Sequence, residues 1–311
     1  MKNAVVAGAA GFIGSHLAEK LLENGYSVIA IDNFITGYRA NFEKLLKNSK
    51  FRILEADISE AIDLNENEID LIFHLASPAS PPKYFENPHQ TIDANINGTM
   101  QLLSQAEKYD ARLIFASTSE IYGDPLKTPQ SEDYWGNVNP IGPRSIYDES
   151  KRMGETLCAL AKREGQNVGV MRIFNTYGPQ MDPYDGRVVS TFIRQAINKE
   201  AFTIQGSGKQ TRSFCYINDL VEGIYRFSHI QEFGPMNLGN PNEISVLELA
   251  ELVAKLLNVD TEIEFLKELE NDPQQRNPDI NLAKKVISWE PTVDLEQGII
   301  QTSHWIRERL K

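Results

Sequence analysis

Two hydrophobic periods alternate through the first half of the chain. Short β-rich runs, Ala4 to Val6, Val28 to Ile31, Phe51 to Leu54, Leu71 to Phe73, Leu113 to Phe115 and Val168 to Ile173, are separated by stretches in which apolar residues recur every three or four positions. Leu17, Leu21 and Leu22 make one such stripe, Ile96, Met100 and Leu103 a second, and Met153, Leu157 and Leu160 a third. Strands alternating with helices predict right-handed β-α-β crossovers, hence an α/β fold with a parallel doubly wound sheet covered on both faces. After about Arg172 the rhythm breaks. Pro and Gly punctuate FNTYGPQMDPYDGR, and the helical stretches Val246 to Leu257 and Leu295 to Arg309 are spaced by loops. The expected division is a larger domain over 1–175 and a smaller C-terminal α/β domain over 176–311. The segment 213–240 reads as strand and helix returning to the first sheet.

Composition narrows the partners. Among 311 residues, 31 Lys plus Arg stand against 43 Asp plus Glu, a formal charge of −12. That balance gives no electrostatic reason to expect nucleic acid or an anionic membrane, since both are bound mainly by Lys and Arg. An anionic small molecule would need a local cationic pocket. No apolar run approaches the roughly 18 to 20 residues of a membrane span, and MKNAVVAGAAGFIG enters predicted structure at once, so a soluble, cytoplasmic protein is expected. Cys158 and Cys215 are too few for a disulfide framework or zinc cluster. His16, His89, His229 and His304 show no ligand spacing, and the apolar strand around His74 marks it as structural, so no metal is expected.

Gly8, Gly11 and Gly14 form G-x-x-G-x-x-G between the first apolar run and a helix beginning near Phe12. Glycines so spaced allow a tight turn and close approach of backbone to a pyrophosphate, held at the positive end of the helix. Asp32 follows the second strand, where a carboxylate meets adenosine ribose hydroxyls and repels a 2′-phosphate. An NAD-binding Rossmann fold is therefore expected, with NAD preferred over NADP and Arg39 near enough to soften that preference. Asp57, ending the third strand, suits either the adenine amino group or a turn.

Tyr147 and Lys151 stand as Y-x-x-x-K in SIYDESKRMGETL, which has helical periodicity, so both side chains share one helix face. An ammonium beside a phenol favours the phenolate, letting Tyr147 exchange a proton with a substrate hydroxyl while Lys151 also bonds a ribose. The segment ASTSEIYG, Ala116 to Gly123, follows an apolar strand, and carboxyl ends of strands are where open α/β sheets keep their sites.

Gly8, Gly11, Gly14 and Asp32, with HLAS at His74, STSEIYG at Ser117, YDESK at Tyr147 and RIFNTYGP at Arg172, resemble the extended short-chain dehydrogenase/reductase family of sugar-nucleotide enzymes. HLASPASPPKYF, PQSEDYWGNVNPIGPRSIYDESKR, DGRVVSTF and DPQQRNPDI resemble its UDP-glucuronate decarboxylase branch over nearly the whole chain. One departure is that Ala7 and Ala9 stand where relatives usually carry Thr and Gly.

The resemblance implies NAD as a tightly held reagent and a UDP-sugar substrate oxidised at C4, decarboxylated as a β-keto acid and reduced again. It implies cofactor contacts from Gly8, Gly11, Phe12, Ile13, Gly14, Asp32, Asn33, Phe34, Gly37, Asp57, Ile58, Leu75, Ala76, Ser77, Asn95, Tyr147, Lys151 and Arg187, the last serving cofactor or substrate. Thr118, Ser119, Glu120, Tyr147, Lys151 and Arg276 are the implied catalytic set. Thr118 would bond the C4 oxygen, and Ser119 and Glu120 would orient the C6 carboxylate, unless Glu120 only caps a helix or pairs with a lysine. For the substrate, Arg212 and Arg276 match diphosphate clamps, Asn175 a phosphate or sugar ligand, Gln205 and Tyr216 a frame for uridine, and Asp279 a partner for its ribose. Without the resemblance each arginine reads as a solvated surface residue. Ser119 argues against a 4,6-dehydratase, which needs an acid there, Glu120 argues against a simple 4-epimerase, and the intact Tyr147/Lys151 pair argues against a non-catalytic NAD-binding regulator. A homodimer is implied, pairing through the Tyr147 helix and a second helix over about Thr91 to Lys108.

Overall fold

The computed structural model describes residues 2–268 and 270–311. Six strands precede residue 175: β1 (Asn3–Ala7), β2 (Ser27–Asp32), β3 (Phe51–Glu55), β4 (Leu71–His74), β5 (Arg112–Thr118) and β6 (Val168–Ile173). Shorter strands follow: β7 (Thr176–Tyr177), β8 (Phe202–Gln205), β9 (Thr211–Ser213), β10 (Cys215–Tyr216), β11 (Met236–Leu238), β12 (Glu243–Ser245) and β13 (Ile263–Leu266). The main sheet has the order β11-β6-β5-β4-β1-β2-β3, every pairing parallel. Strand order reverses between β1 and β4, which opens a crevice at their carboxyl ends.

The apolar runs read as strands because both faces are covered. Val6, Ala30 and Phe73 point into one core with Leu17 and Leu21 of α1 (Phe12–Glu23). Val5, Ile29 and Phe115 point into the other, with Leu102 of α4 (Asn97–Tyr109) and Cys158 of α5 (Ser145–Arg163). Two short helices, α2 (Pro81–Glu86) and α3 (Pro88–Asn95), precede α4. The helical stripes face the core only in part: Leu103 and Leu157 pack there, whereas Met100, Met153 and Leu160 remain 45%, 43% and 47% exposed. The sheet lies nearer the neighbouring faces, which hold Leu102 and Ala106 on α4 and Cys158 and Ala161 on α5.

Beyond residue 175 come α6 (Val188–Asn198), α7 (Ile217–Ser228), α8 (Val246–Leu257), α9 (Asn281–Ile287) and α10 (Leu295–Arg309). Strand β11 joins the main sheet beside β6, with Met236 opposite Met171. The rest pairs in short ribbons, β10 with β7, β12 with β9 and β13 with β8. Among the described residues no helix is long and apolar enough to cross a membrane.

Candidate active site

The crevice at the strand-order reversal is shaped by backbone. Gly8 N–H donates to the Ile31 carbonyl at 2.8 Å. Its φ is +79°, and a Cβ there would lie 2.6 Å from the Ala76 nitrogen. A Cβ on Gly14 would collide with the Gly8 carbonyl oxygen. Such a cradle leaves room for a ligand to approach main-chain amides and for no side chain. Ala9 is fully buried and is not among the residues with positive φ, so the turn holds alanine there without strain.

Asp32 is fixed at the edge of this crevice. Its Oδ2 accepts from Ala10 N–H and its Oδ1 from Phe34 N–H, both at 2.8 Å. Gly8, Gly11, Asp32, Asn33, Gly37, Asp57, Ile58, Leu75, Ala76 and Ser77 line one cleft. Ile35, Thr36, Ala56, Gln90 and Ala94 line it too and escaped the sequence reading, although most are chain neighbours of residues it named. Asp57 lines the cleft and forms a turn, its Oδ1 accepting from the Ser59 amide and hydroxyl. Phe12, Ile13 and Gly14 form the first turn of α1. Phe34 contributes its amide to Asp32 while its ring packs on Phe42. Arg39 lies over that ring at 3.9 Å from its centroid and pairs with Glu55. Asn95 is fully buried outside the cleft lining, its Nδ2 donating to Ser150 Oγ at 2.9 Å.

At the carboxyl end of β5, Thr118 Oγ1 accepts from Glu120 N–H at 3.2 Å and shares a hydrogen bond with Tyr147. Tyr147 lies stacked on Tyr84 with centroids 5.4 Å apart. Lys151 Nζ donates to the Ala116 carbonyl at 2.8 Å and stands 5.8 Å from the Tyr147 ring centroid. The expected activation of the phenol by the ammonium is not what the pair shows by itself. Burial pushes the Tyr147 hydroxyl up to about 12, against the lowering influence of the Thr118 hydrogen bond and the Arg187 charge. Burial likewise pulls Lys151 down to about 7. Desolvation, which disfavours either charged form, is the largest influence at both residues. Arg187 opens α6, its Nη1 paired with Asp185 at 2.9 Å.

Next to this pair lies a buried charge cluster. Glu120 Oε2 accepts from Arg144 Nη2 and, at 2.8 Å, from Arg276 Nη2. Glu120 is therefore neither a lone helix cap nor a lysine partner. Arg144 Nη1 also stands 3.4 Å from Asp272 Oδ1, and Arg212 Nη2 donates to Asp272 Oδ2 at 2.8 Å. Burial opposes ionisation of Glu120, but the two guanidiniums hold its carboxyl well below the usual range. Asp148 has the opposite fate: burial, and then the Glu120 charge, push it up to about 8. Its Oδ1 and the Tyr84 hydroxyl are buried without a hydrogen-bond partner. Arg144, Asp148, Asp272 and Tyr84 were not singled out from sequence, although each lies within a segment quoted above for its resemblance.

Arg276 reaches the cluster because its segment is held down. It is 2% exposed and donates to the Gly123 carbonyl as well as to Glu120. Gln130 N–H donates to the Asn277 carbonyl at 2.7 Å, Asp279 N–H to the Gln130 carbonyl at 2.9 Å, and Asn277 N–H to Gln130 Oε1 at 2.7 Å. Asn237 of β11 ties both segments, its Nδ2 donating to the Gln130 and Asp279 carbonyls at 2.9 and 3.0 Å. Its Oδ1 accepts from Tyr122, whose hydroxyl accepts from Arg172 at 2.9 Å.

The remaining substrate candidates separate. Asn175 follows β6, and its carbonyl accepts from Cys215 N–H at 2.9 Å. Gln205 ends β8, and Asp279 Oδ1 accepts from Asn281 N–H at 2.9 Å. Tyr216 does not join them. It is 3% exposed in the apolar core, edge-on to Tyr177, with its hydroxyl donating to Gln301 of α10. His74 is fully buried and bonded to the Ala94 carbonyl, and burial drives it down to about 3. Among the described residues no group of three His, Cys, Asp or Glu side chains is placed to hold a metal.

A profile of the family described as NAD dependent epimerase/dehydratase matches residues 4–239. The chain is 49% identical to UDP-glucuronic acid decarboxylase 1 of Xenopus tropicalis over 311 residues, which is 100% of this chain and 73% of that protein. Against UDP-glucuronic acid decarboxylase 6 of Arabidopsis thaliana it is 49% identical over 98% of this chain and 89% of that one. Among solved structures, the UDP-glucuronic acid 4-epimerase of Bacillus cereus in complex with UDP-glucuronic acid and NAD superposes with a TM-score of 0.86 at 30% identity, covering 100% of both chains. The UDP-glucose 4-epimerase of Thermotoga maritima with UDP-glucose gives 0.90 at 31% identity, over 99% of this chain and 100% of that one.

Proposed function

The chain belongs to the NAD dependent epimerase/dehydratase family, and from that premise we infer that it is an NAD-dependent enzyme converting UDP-glucuronate to UDP-xylose and carbon dioxide. Relatives matched over 98% or more of this chain at 49% identity carry the decarboxylase name, whereas the UDP-sugar 4-epimerases named above are 30% and 31% identical. The observation that carries the reading is Glu120, an ionised carboxylate clasped by Arg144 and Arg276 beside the Thr118–Tyr147 pair. Ser119 stands where a dehydratase would need an acid to expel a hydroxyl.

The Gly8 and Gly14 cradle and the fixed Asp32 carboxylate fit NAD. The chemistry supplied by NAD bound there is uptake of a hydride from the sugar's C4 and its later return. Tyr147 takes the O4 proton, with Thr118 fixing the phenol's direction and Lys151 placed to supply positive charge to the ribose and phenol. The resulting β-keto acid breaks its C5–C6 bond as the electron pair moves toward O4. Ser119 and Glu120 orient the departing carboxylate, C5 takes up a proton that comes from solvent with Arg276 as relay, and Tyr147 returns its proton to O4 as C4 is reduced. Arg212, releasing Asp272, clamps the diphosphate.

On the same reading, residues 1–175 with 213–240 serve the cofactor and the remainder of 176–311 the sugar nucleotide. The exposed apolar side chains Ile92, Met100, Met153 and Leu160 on α3, α4 and α5 suit a homodimer that packs these helices against their copies. A cytoplasmic location accords with the expected soluble substrate. The test is incubation with NAD and UDP-glucuronate, following carbon dioxide and the product's proton NMR spectrum. UDP-xylose without net NADH is expected. A six-carbon UDP-galacturonate would assign a 4-epimerase instead, and bound NAD without turnover would assign a regulator.

A further inference from the structure

One buried cation of the charge cluster has no task in the reaction as described. Arg144 precedes α5 with only 12% of its side chain exposed, joined to Glu120 through Nη2 and to Asp272 through Nη1. The hydrogen bonds from Arg144 and Arg276 both fall on Glu120 Oε2. We propose that Arg144 is a positioning residue for decarboxylation: acting through Glu120, it holds that carboxylate charged and in one orientation beside the substrate's C6 carboxylate. The proposal rests on the decarboxylase reading above.

The argument begins with the cost of burying a charge. A carboxylate this enclosed takes up a proton unless cations compensate it. Arg144 and Arg276 supply that compensation from two separate segments, and two anchors restrict the swing that a single ion pair permits. The surrounding titratable groups act on the same balance. Asp148 and Tyr147 on α5, Tyr84 on α2 and Arg212 on β9 all feel the Glu120 charge.

When the C5–C6 bond breaks, its electron pair enters the C4–C5 enolate, the negative charge passes to O4, and C6 departs as neutral carbon dioxide. A fixed anion near C6 repels the starting carboxylate more than it repels this transition state, so it lowers the barrier. A neutral or displaced Glu120 loses that effect. It also frees a guanidinium to grip the C6 carboxylate, which stabilises the ground state and slows its loss. Oxidation at C4 depends instead on Tyr147 and Thr118; Tyr147 N–H donates to the Arg144 main-chain carbonyl at 3.1 Å, a bond that a side-chain substitution at Arg144 keeps, while the guanidinium itself bonds Glu120 and Asp272.

The test uses the full-length enzyme with NAD and UDP-glucuronate, comparing wild type, Arg144→Met and Arg144→Lys by NADH absorbance in a single turnover, carbon dioxide release and the pH profile of kcat. For Arg144→Met, carbon dioxide release should fall roughly 10- to 100-fold while KM and the rate of NADH appearance stay within about twofold. NADH should accumulate, and kcat should gain a new acidic limb as Glu120 protonates at higher pH. Arg144→Lys should restore much of the rate and remove that limb. Equal slowing of NADH appearance and carbon dioxide release with an unchanged pH profile would overturn the proposal, as would an unchanged enzyme. Thermal unfolding and NAD binding check the fold; if Arg144→Met does not fold, Arg144→Gln, which also removes the charge, is read by the same pH limb and step ratio, and a wild-type pattern in both overturns the proposal. Wild-type protein that releases no carbon dioxide would instead sink the decarboxylase reading.

Discussion

The two ends of the site are built from different materials. At the cofactor end, Gly8, Asp32 and Ala76 come from strand ends that are already neighbours in the sheet, Gly14 from the first turn of the helix that follows β1, and the shape is set by backbone. At the sugar end, Glu120, Arg144, Arg212, Asp272 and Arg276 come from segments far apart in sequence and are joined through side-chain charge. The first fails when an atom is added where backbone must pass. The second fails when a charge is removed, because its partners then remain buried and uncompensated.

Four substitutions sharpen this contrast, the largest effect first. Tyr147→Phe should lower turnover by about 10²- to 10⁴-fold while NAD binding, followed by titration of intrinsic fluorescence, is retained. Loss of NAD binding would mean that the two ends are not separable at this residue.

Asp148 tests the charged end through pH. Its carboxyl is pushed from its ordinary value of 3.8 up to about 8 in the fold, so between those values the folded protein keeps a proton that the unfolded chain releases. Its contribution to stability is therefore full below pH 4 and is lost as pH rises through 8. Asp148→Asn should remove that loss, making the protein more stable at pH 8 by roughly 2–4 kcal/mol in urea unfolding and little changed at pH 4. An unaltered difference between the two pH values would refute the assignment.

Gly8→Ala tests the cofactor end, where strain and the approach to Ala76 should cost about 1–3 kcal/mol in thermal or urea unfolding, with weakened NAD binding and no new pH dependence. Leu126→Ser, at a side chain 84% exposed and remote from both ends in character, should stay within about 0.5 kcal/mol of wild type in the same measurement.

Legibility in the sequence follows the same divide. Gly8, Asp32 and the Tyr147/Lys151 pair sit in short local patterns whose spacing carries the geometry, and the buried strands appear as unbroken apolar runs. Arg144 carries no such mark. In PIGPRS it looks like any loop arginine, and its partner Glu120 lies on another element, so only folding reveals the pair. Tyr216 was misread for a related reason, because the resemblance located its segment without saying which way a two-residue strand turns its ring. Met100 and Met153 show the limit of periodicity. Spacing marks a stripe on a helix without declaring which of its members the sheet will cover.

The clasp between Gln130 and the segment around Asn277 also sets an order in time. As the chain is synthesised from its N-terminus, the first six strands and the glycine turn are complete long before Arg276 emerges. A chain stopped in that interval owns a nucleotide crevice and the Tyr147 phenol but lacks the guanidinium that completes the Glu120 cluster. The half that moves electrons is thus finished first, and its competence to act on a sugar waits for the last part of the chain to be made.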